Sequence, residues 1–206
     1  MANIIASPTR YIQGKGELQN LRQHVEMLGK KLFILTTASG QARVAPAINA
    51  SVAGSDCTAV YEPFHGECSQ SEIDRVVADF QASGCDLIVG VGGGKTHDTA
   101  KAAAHYAGCP VVIVPTIAST DAPCSALSVI YTDGGVFDRY LFLPASPNVV
   151  LVDTASASEI FEQMFRIDER DVCIAISFPR YSKQTINALR FISDRGATIL
   201  SITDSA

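Results

Sequence analysis

A regular alternation constrains this chain more than any other feature. Short, continuous apolar runs recur as "KLFILTT" (31–37), "CTAVYE" (57–62), "DLIVGVG" (86–92), "PVVIVP" (110–115) and "NVVLVD" (148–153). They are rich in β-branched residues and too short for helices, which is the pattern of strands buried on both faces. Between the middle three lie "SQSEIDRVVADFQASG" (69–84) and "KTHDTAKAAAHYAG" (95–108), helix-like stretches that each stop at a glycine. Strand, helix, strand in that order calls for a parallel sheet, because parallel neighbours need a crossover and the crossover helix covers one sheet face. The expected fold class is therefore α/β, a parallel sheet with helices on both faces.

Two stretches depart from the rhythm. In "SALSVIYTDGGVFDRYLFLP" (125–144) two apolar-rich runs flank Asp133-Gly134-Gly135, which predicts a tight hairpin inserted into the α/β order. From about residue 155 a new pattern begins. "ASEIFEQMF" (157–165) reads as helix, "DVCIAISF" (171–178) as strand, "YSKQTINALRFISDRG" (181–196) as helix and "ATILSITD" (197–204) as strand, an added C-terminal βαβ unit. The division falls near residue 154, giving segments 1–154 and 155–206.

Composition narrows the class of partner. Of the 206 residues 47% are hydrophobic and 18% charged, and no apolar run approaches the length of a membrane span. The opening "MANIIASPTR" lacks a basic region leading into an apolar stretch, so a soluble cytoplasmic protein is expected. The net charge of −5 comes without a basic stripe, which points away from nucleic acid and membrane surfaces and toward small-molecule ligands. Cys57, Cys68, Cys85, Cys109, Cys124 and Cys173 are isolated, with no C-x-x-C pair, as reduced thiols packed as small hydrophobes would be.

The chemistry gathers around "VGVGGGKTHDTAKAA" (89–103). It is not a P-loop, since the required first glycine is Val89, and it is not G-x-G-x-x-G, since the third glycine falls on Lys95 or His97. Yet three glycines after a buried strand let the backbone approach a bulky anion, with no Cβ in the way. The open N–H groups of the next helix then face that anion, and the helix dipole favours negative charge there. Lys95 at the helix start opposes the dipole, which a ligand phosphate would offset. Asp98 and Lys101, three apart, share a helix face and either pair on the surface or serve the site. One strand later "PTIASTDAPCSA" (115–126) reaches the same sheet edge, with hydroxyls at Thr116, Ser119, Thr120 and Ser125 and a carboxylate at Asp121. These are either ligand contacts, which sit at that edge in open α/β sheets, or turn and capping residues.

"GGGKTHDTAK", "PTIASTDAPCSALSVIYTDGG" and "FHGECSQSEID" together resemble the glycerol dehydrogenases of the metal-dependent, iron-type polyol dehydrogenase family, from about residue 3 to 154. The resemblance implies a Rossmann-like domain whose triple-glycine loop binds the pyrophosphate of NAD. It places Gly92, Gly93, Gly94, Lys95, Thr96 and Asp98 around the cofactor phosphates and nicotinamide side. Thr116 and Ser119 would contact the cofactor from the next loop, Ser125, Leu127 and Tyr131 from the hairpin, and Asp121 would meet the polyol hydroxyls. Two departures accompany it. Thr37 stands where the family commonly has an acidic residue for the adenosine ribose, which weakens the expected preference for NAD over NADP. The family's zinc or iron ligands, an Asp in a G-x-G-D segment and two later His, are missing: the four histidines (His24, His65, His97, His105) all precede residue 106 and form no spaced pair, and Asp171 reads as strand entry.

Residues 158–206 resemble the central part of a SIS (sugar isomerase) domain of RpiR-type regulators. That resemblance implies a phosphate site at a helix N-terminus involving Ser177, Ser182 and Lys183, with Arg180 in place of the common loop glycine. The functional expectation is an NAD-binding domain of glycerol dehydrogenase type, of little or no activity alone because the metal ligands are missing. The alternatives are a regulatory module binding a dinucleotide or a sugar phosphate, or a fusion product without selected activity. Apolar surface left for a missing helical domain would favour homo-association.

Overall fold

The structure is a computed structural model and describes residues 7–116, 121–154, 167–177 and 183–203. The chain divides into two compact units, residues 1–155 and 156–206.

In the first unit, strands β1 (Arg10–Gly14), β2 (Lys31–Thr36), β3 (Thr58–Pro63), β4 (Leu87–Gly92), β5 (Val111–Pro115) and β8 (Val149–Asp153) form one sheet in the order β1-β8-β5-β4-β2-β3. Every pairing in it is parallel. The five apolar runs are thus five of its strands, and the parallel sheet expected from their spacing is present.

The pleat sorts their side chains into two cores. Leu32, Ile34, Leu87, Val89, Val112 and Leu151 face one side, where Leu21 and Val25 of α1 (Leu21–Val25) and Val44 and Ile48 of α2 (Ala38–Val52) cover them. Phe33, Leu35, Ile88, Ile113 and Val150 face the other, under Val76 and Phe80 of α3 (Gln70–Ser83) and Ala100, Ala103 and Ala104 of α4 (Gly94–Ala107). Period-two alternation in a strand sends neighbouring apolar residues to opposite faces, so runs without polar alternation fit a sheet covered on both. Helices α3 and α4 end where expected, with Gly84 (φ 65°) and Gly108 (φ 67°) in the left-handed conformation that stops a helix.

The first thirty residues hold more structure than the alternation suggests. Strand β1 is a largely exposed edge strand, parallel to β8. The Asp153 carboxylate ending β8 accepts the N–H groups of Gly16 and Leu18, both at 2.9 Å, and so caps the short 3-10 turn Glu17–Asn20 from a neighbouring strand.

The predicted hairpin is also present. Strands β6 (Leu127–Tyr131) and β7 (Phe137–Phe142) pair antiparallel through a turn in which Gly135 has φ 78°. Ile130 packs with Cys68, Ile73 and Ala102, which seats the hairpin against α3 and α4.

In the second unit, β9 (Val172–Ser177) and β10 (Thr198–Thr203) pair in parallel, joined through α5 (Lys183–Asp194). Ile192 and Ala197 are buried there against Cys173, Ala188 and Ile199. The helix expected over 157–165 lies outside the described residues. Among the described residues no helix is long and apolar enough to cross a membrane.

Candidate anion site at the switch point of the sheet

The connection leaving β2 through α2 runs over one sheet face, and the connection leaving the adjacent β4 through α4 runs over the other. Between the carboxyl ends of such a pair a crevice opens, the usual ligand position in open α/β sheets. The triple glycine of the sequence stands there.

Gly92 ends β4, Gly93 is the extended N-cap of α4 (φ −102°, ψ −172°), and Gly94 is the first helical residue. No side chain caps this helix start, and its first turn holds no acidic residue. A Cβ on Gly92 would lie 2.8 Å from Thr96 Oγ1 and 3.1 Å from Thr96 Cβ, so the bend closes around buried Thr96 only because a side chain is missing. Gly90 is close-packed too, with a Cβ there falling 2.6 Å from that of Ala100. The result, among the described residues, is a helix N-terminus without a side-chain cap, whose dipole favours anions and whose approach carries no Cβ at residues 92–94.

The neighbouring loop is tied to it. Thr116 N–H donates to the Gly92 carbonyl at 2.9 Å, which puts the end of β5 beside the glycine loop. Asp121 is exposed just beyond, and Ser119 lies outside the described residues.

Asp98 and Lys101 correct the surface-pair expectation. Both are buried, at 7% and 2% exposure, with Lys101 Nζ 3.0 Å from Asp98 Oδ1. Lys101 also donates to the Ala122 carbonyl at 2.8 Å, to Ser125 Oγ at 3.1 Å and to the Leu127 carbonyl. Asp98 accepts from Val129 N–H at 3.1 Å, and its carbonyl accepts from Ser128 Oγ at 2.9 Å. Burial pushes the Asp98 carboxyl up and the Lys101 ammonium down, each opposed by the attraction of the other. The pair bolts the hairpin's first strand to α4. It also accounts for the contacts made by Ser125 and Leu127.

Tyr131 and Lys95 come together at the helix start. Tyr131 N–H donates to the Cys68 carbonyl at 2.8 Å, which fixes its ring 5.5 Å beneath the Lys95 ammonium. Lys95 Nζ meanwhile pairs with Glu67 Oε2 at 2.6 Å. Glu67 belongs to a stretch that carried the family resemblance, but no spacing in the sequence marks it as a partner for a residue 28 positions away.

His97 is fully buried on α4, and neither ring nitrogen has a hydrogen-bond partner among the described residues. Burial holds its pKa down to about 4, helped by the nearby Lys101 charge and opposed weakly by the carbonyls of Val114 and Gly92. At the end of β2, Thr37 caps α2 by accepting Gly40 N–H at 3.1 Å. In the second unit Ser177 ends β9 and Lys183 opens α5, while Ser182 lies outside the described residues. All six cysteines are free thiols; burial pushes Cys68 up to about 12 and Cys109 up to about 11.

A glycine loop at the switch point of a parallel sheet defines a Rossmann-like fold. Within that class the chain belongs to the iron-containing alcohol dehydrogenase family, whose model matches residues 8–154. It is 49% identical over 154 residues to a glycerol dehydrogenase of Escherichia coli O6:H1, covering 75% of this chain and 42% of that protein. It is 46% identical to one of Thermotoga maritima, covering 71% and 40%. The crystal structure of a probable glycerol dehydrogenase from Sinorhizobium meliloti 1021 superposes with a TM-score of 0.68 at 43% identity, over 74% of this chain and 41% of that one. The chain thus spans about two-fifths of the length of these relatives. A SIS domain model matches residues 139–206.

Among the described residues no group of three or more His, Cys, Asp or Glu could hold a metal ion.

Proposed function

We propose that residues 1–154 form a cofactor domain that holds NAD(H) with its pyrophosphate on the N-terminus of α4, as part of a polyol oxidoreductase of glycerol dehydrogenase type. The observation that carries this reading is the uncapped start of α4 behind Gly92 and Gly93, at the switch point between β2 and β4. The amides of Gly94 and Lys95 would meet the phosphates. Thr96 shapes the bend, Thr116 and Tyr131 stand beside it, and Ser119 would contribute a cofactor contact from the loop after Thr116. Asp121 would face the polyol hydroxyls. Asp98, Ser125 and Leu127 act through the Lys101 anchor that holds the hairpin at the site. Bound NAD would supply the hydride acceptor. The 206 residues by themselves hold the dinucleotide without turning over a polyol.

At the ribose end the chain has no carboxylate to offer from β2, because that position is Thr37 and its hydroxyl is committed to the helix cap. Discrimination between NAD and NADP is accordingly weak.

Thermal denaturation with and without NADH tests the reading, since a ligand that binds only the folded state raises the midpoint. Millimolar NADH should raise it measurably. An unmoved curve in NADH, together with a shift in a hexose phosphate, would instead support a sugar-phosphate module in residues 155–206, the reading that the SIS match favours. Glycerol-dependent NADH formation by the 206-residue protein in added zinc or iron would overturn the claim of inactivity.

A further inference from the structure

The loop between β3 and α3 brings to the glycine loop a carboxylate that dinucleotide binding does not call for. Glu67 Oε2 stands 2.6 Å from Lys95 Nζ, while its Oε1 accepts the N–H of Cys68 at 3.1 Å. The Glu67 side chain is 19% exposed and that of Lys95 51%. The turn of the hairpin closes over the carboxylate: a Cβ on Gly135 would lie 3.3 Å from Glu67 Oε2. The Lys95 ammonium rests over the Tyr131 ring, which is in turn edge-on to Phe137 at 6.5 Å.

One partner of this pair is fixed and the other is not. Glu67 is held by a backbone amide and covered by the hairpin turn, whereas Lys95 has a long, half-exposed stem. A phosphate arriving at α4 can recruit the ammonium only by drawing it away from a carboxylate that cannot follow. The cation beside the anion loop is thus already neutralised, and its attraction for a ligand is what remains after that competition.

We propose that Glu67 is a built-in counter-ion that competes with ligand phosphate for Lys95, limiting anion affinity and leaving the backbone amides of residues 93–95 as its main source. In a cofactor domain this would keep the dinucleotide exchangeable. The inference rests on the anion-site reading above, but not on the anion being NAD.

The test is calorimetric titration of the full chain and of Glu67→Gln with two probes, NADH and inorganic pyrophosphate, in low and high salt. Glu67→Gln should bind both probes tighter by about three- to fivefold in low salt, the size expected from releasing one partly exposed ion pair. The gain should shrink in about 1 M salt, where screening acts within a few ångströms. Unchanged or weaker binding by Glu67→Gln overturns the proposal and would make Glu67 a structural tie between the loop and α4. Should that variant fold poorly, the wild type still decides. Its pyrophosphate affinity should change little with ionic strength, and a steep salt dependence would show a free lysine and sink the idea. Pyrophosphate binding that tightens in the variant, with no NADH binding, would keep the counter-ion and remove the dinucleotide. Failure of both probes to bind would remove both readings.

Discussion

Two helices begin at the same crevice, and they begin differently. At α2 the Thr37 side chain accepts Gly40 N–H, so one of the helix's open donors is already satisfied. At α4 the N-cap is Gly93 and no side chain caps the turn. Every helix start leaves several N–H groups without intrahelical partners, and a helix whose cap is missing must satisfy them from outside. The two starts therefore have different uses. That of α2 closes on itself, and that of α4 has no side-chain cap, as the proposed anion site requires.

The comparison can be broken at its anchor first. Replacing Lys101 with Met strands the Asp98 carboxylate inside the protein, and removal of one member of a buried pair costs about 3–5 kcal/mol. Urea denaturation should show a loss of that size. A loss well under about 1 kcal/mol would mean that the pair does not secure the hairpin to α4.

Acid should act next, through His97. Its folded pKa is about 4, below the ordinary 6.5. The unfolded chain thus binds a proton at higher pH than the folded one, and stability falls as pH drops from about 6.5 toward 4. At ~1.4 kcal/mol per pKa unit the whole loss amounts to roughly 3–4 kcal/mol. His97→Leu should flatten this dependence, and an unchanged pH profile in that variant would clear His97 of the effect.

Gly92→Ala attacks the open helix start directly. The added methyl meets Thr96, and overpacking of this kind costs about 1–3 kcal/mol. The NADH-induced rise in melting temperature should disappear along with it. A variant that keeps that rise would show that the bend is not where the anion sits.

The smallest effect belongs to the closed helix. Thr37→Ala should cost about 1 kcal/mol through the lost cap, with pyrophosphate binding unaltered. Thr37→Asp keeps the cap and sharpens the contrast, since a carboxylate there should favour NAD over NADP by about tenfold in relative Kd.

How much of this was legible in the sequence differs from element to element. Four of the five strands announced themselves as buried, because a strand covered on both faces is apolar at nearly every position, whereas β3, expected to be buried too, is a part-exposed edge strand beside β2, as its Thr58, Tyr61 and Glu62 allow. The glycine stops of α3 and α4 and the Asp133-Gly134-Gly135 turn were equally plain, since each depends on local backbone conformation. Strand β1 was not, as an exposed edge strand needs no apolar run and "RYIQG" has none. Nor was α2, whose sequence carries Gly40 and Pro46. It is helical because Val44 and Ile48 pack into the core, a tertiary gain that outweighs poor local propensity. At the site, spacing showed that Asp98 and Lys101 share a face, but not that the face is buried. The alanines at 100 and 102–104 were the available signal, because small residues mark close approach. Glu67 gave none at all.

By itself the sequence determined what depends on neighbours along the chain: the parallel sheet, the helix stops, the hairpin, and a glycine loop able to receive an anion. Its resemblance to a family added which anion to expect. Only the tertiary structure decided which charges meet. Glu67 with Lys95, and Lys101 with Asp98 and the carbonyls of the hairpin, are pairings set by how loops and helices stack above the sheet. Burial then decides whether such a pairing is a weak surface contact or a strong internal tie, because it removes the water that would screen the charges.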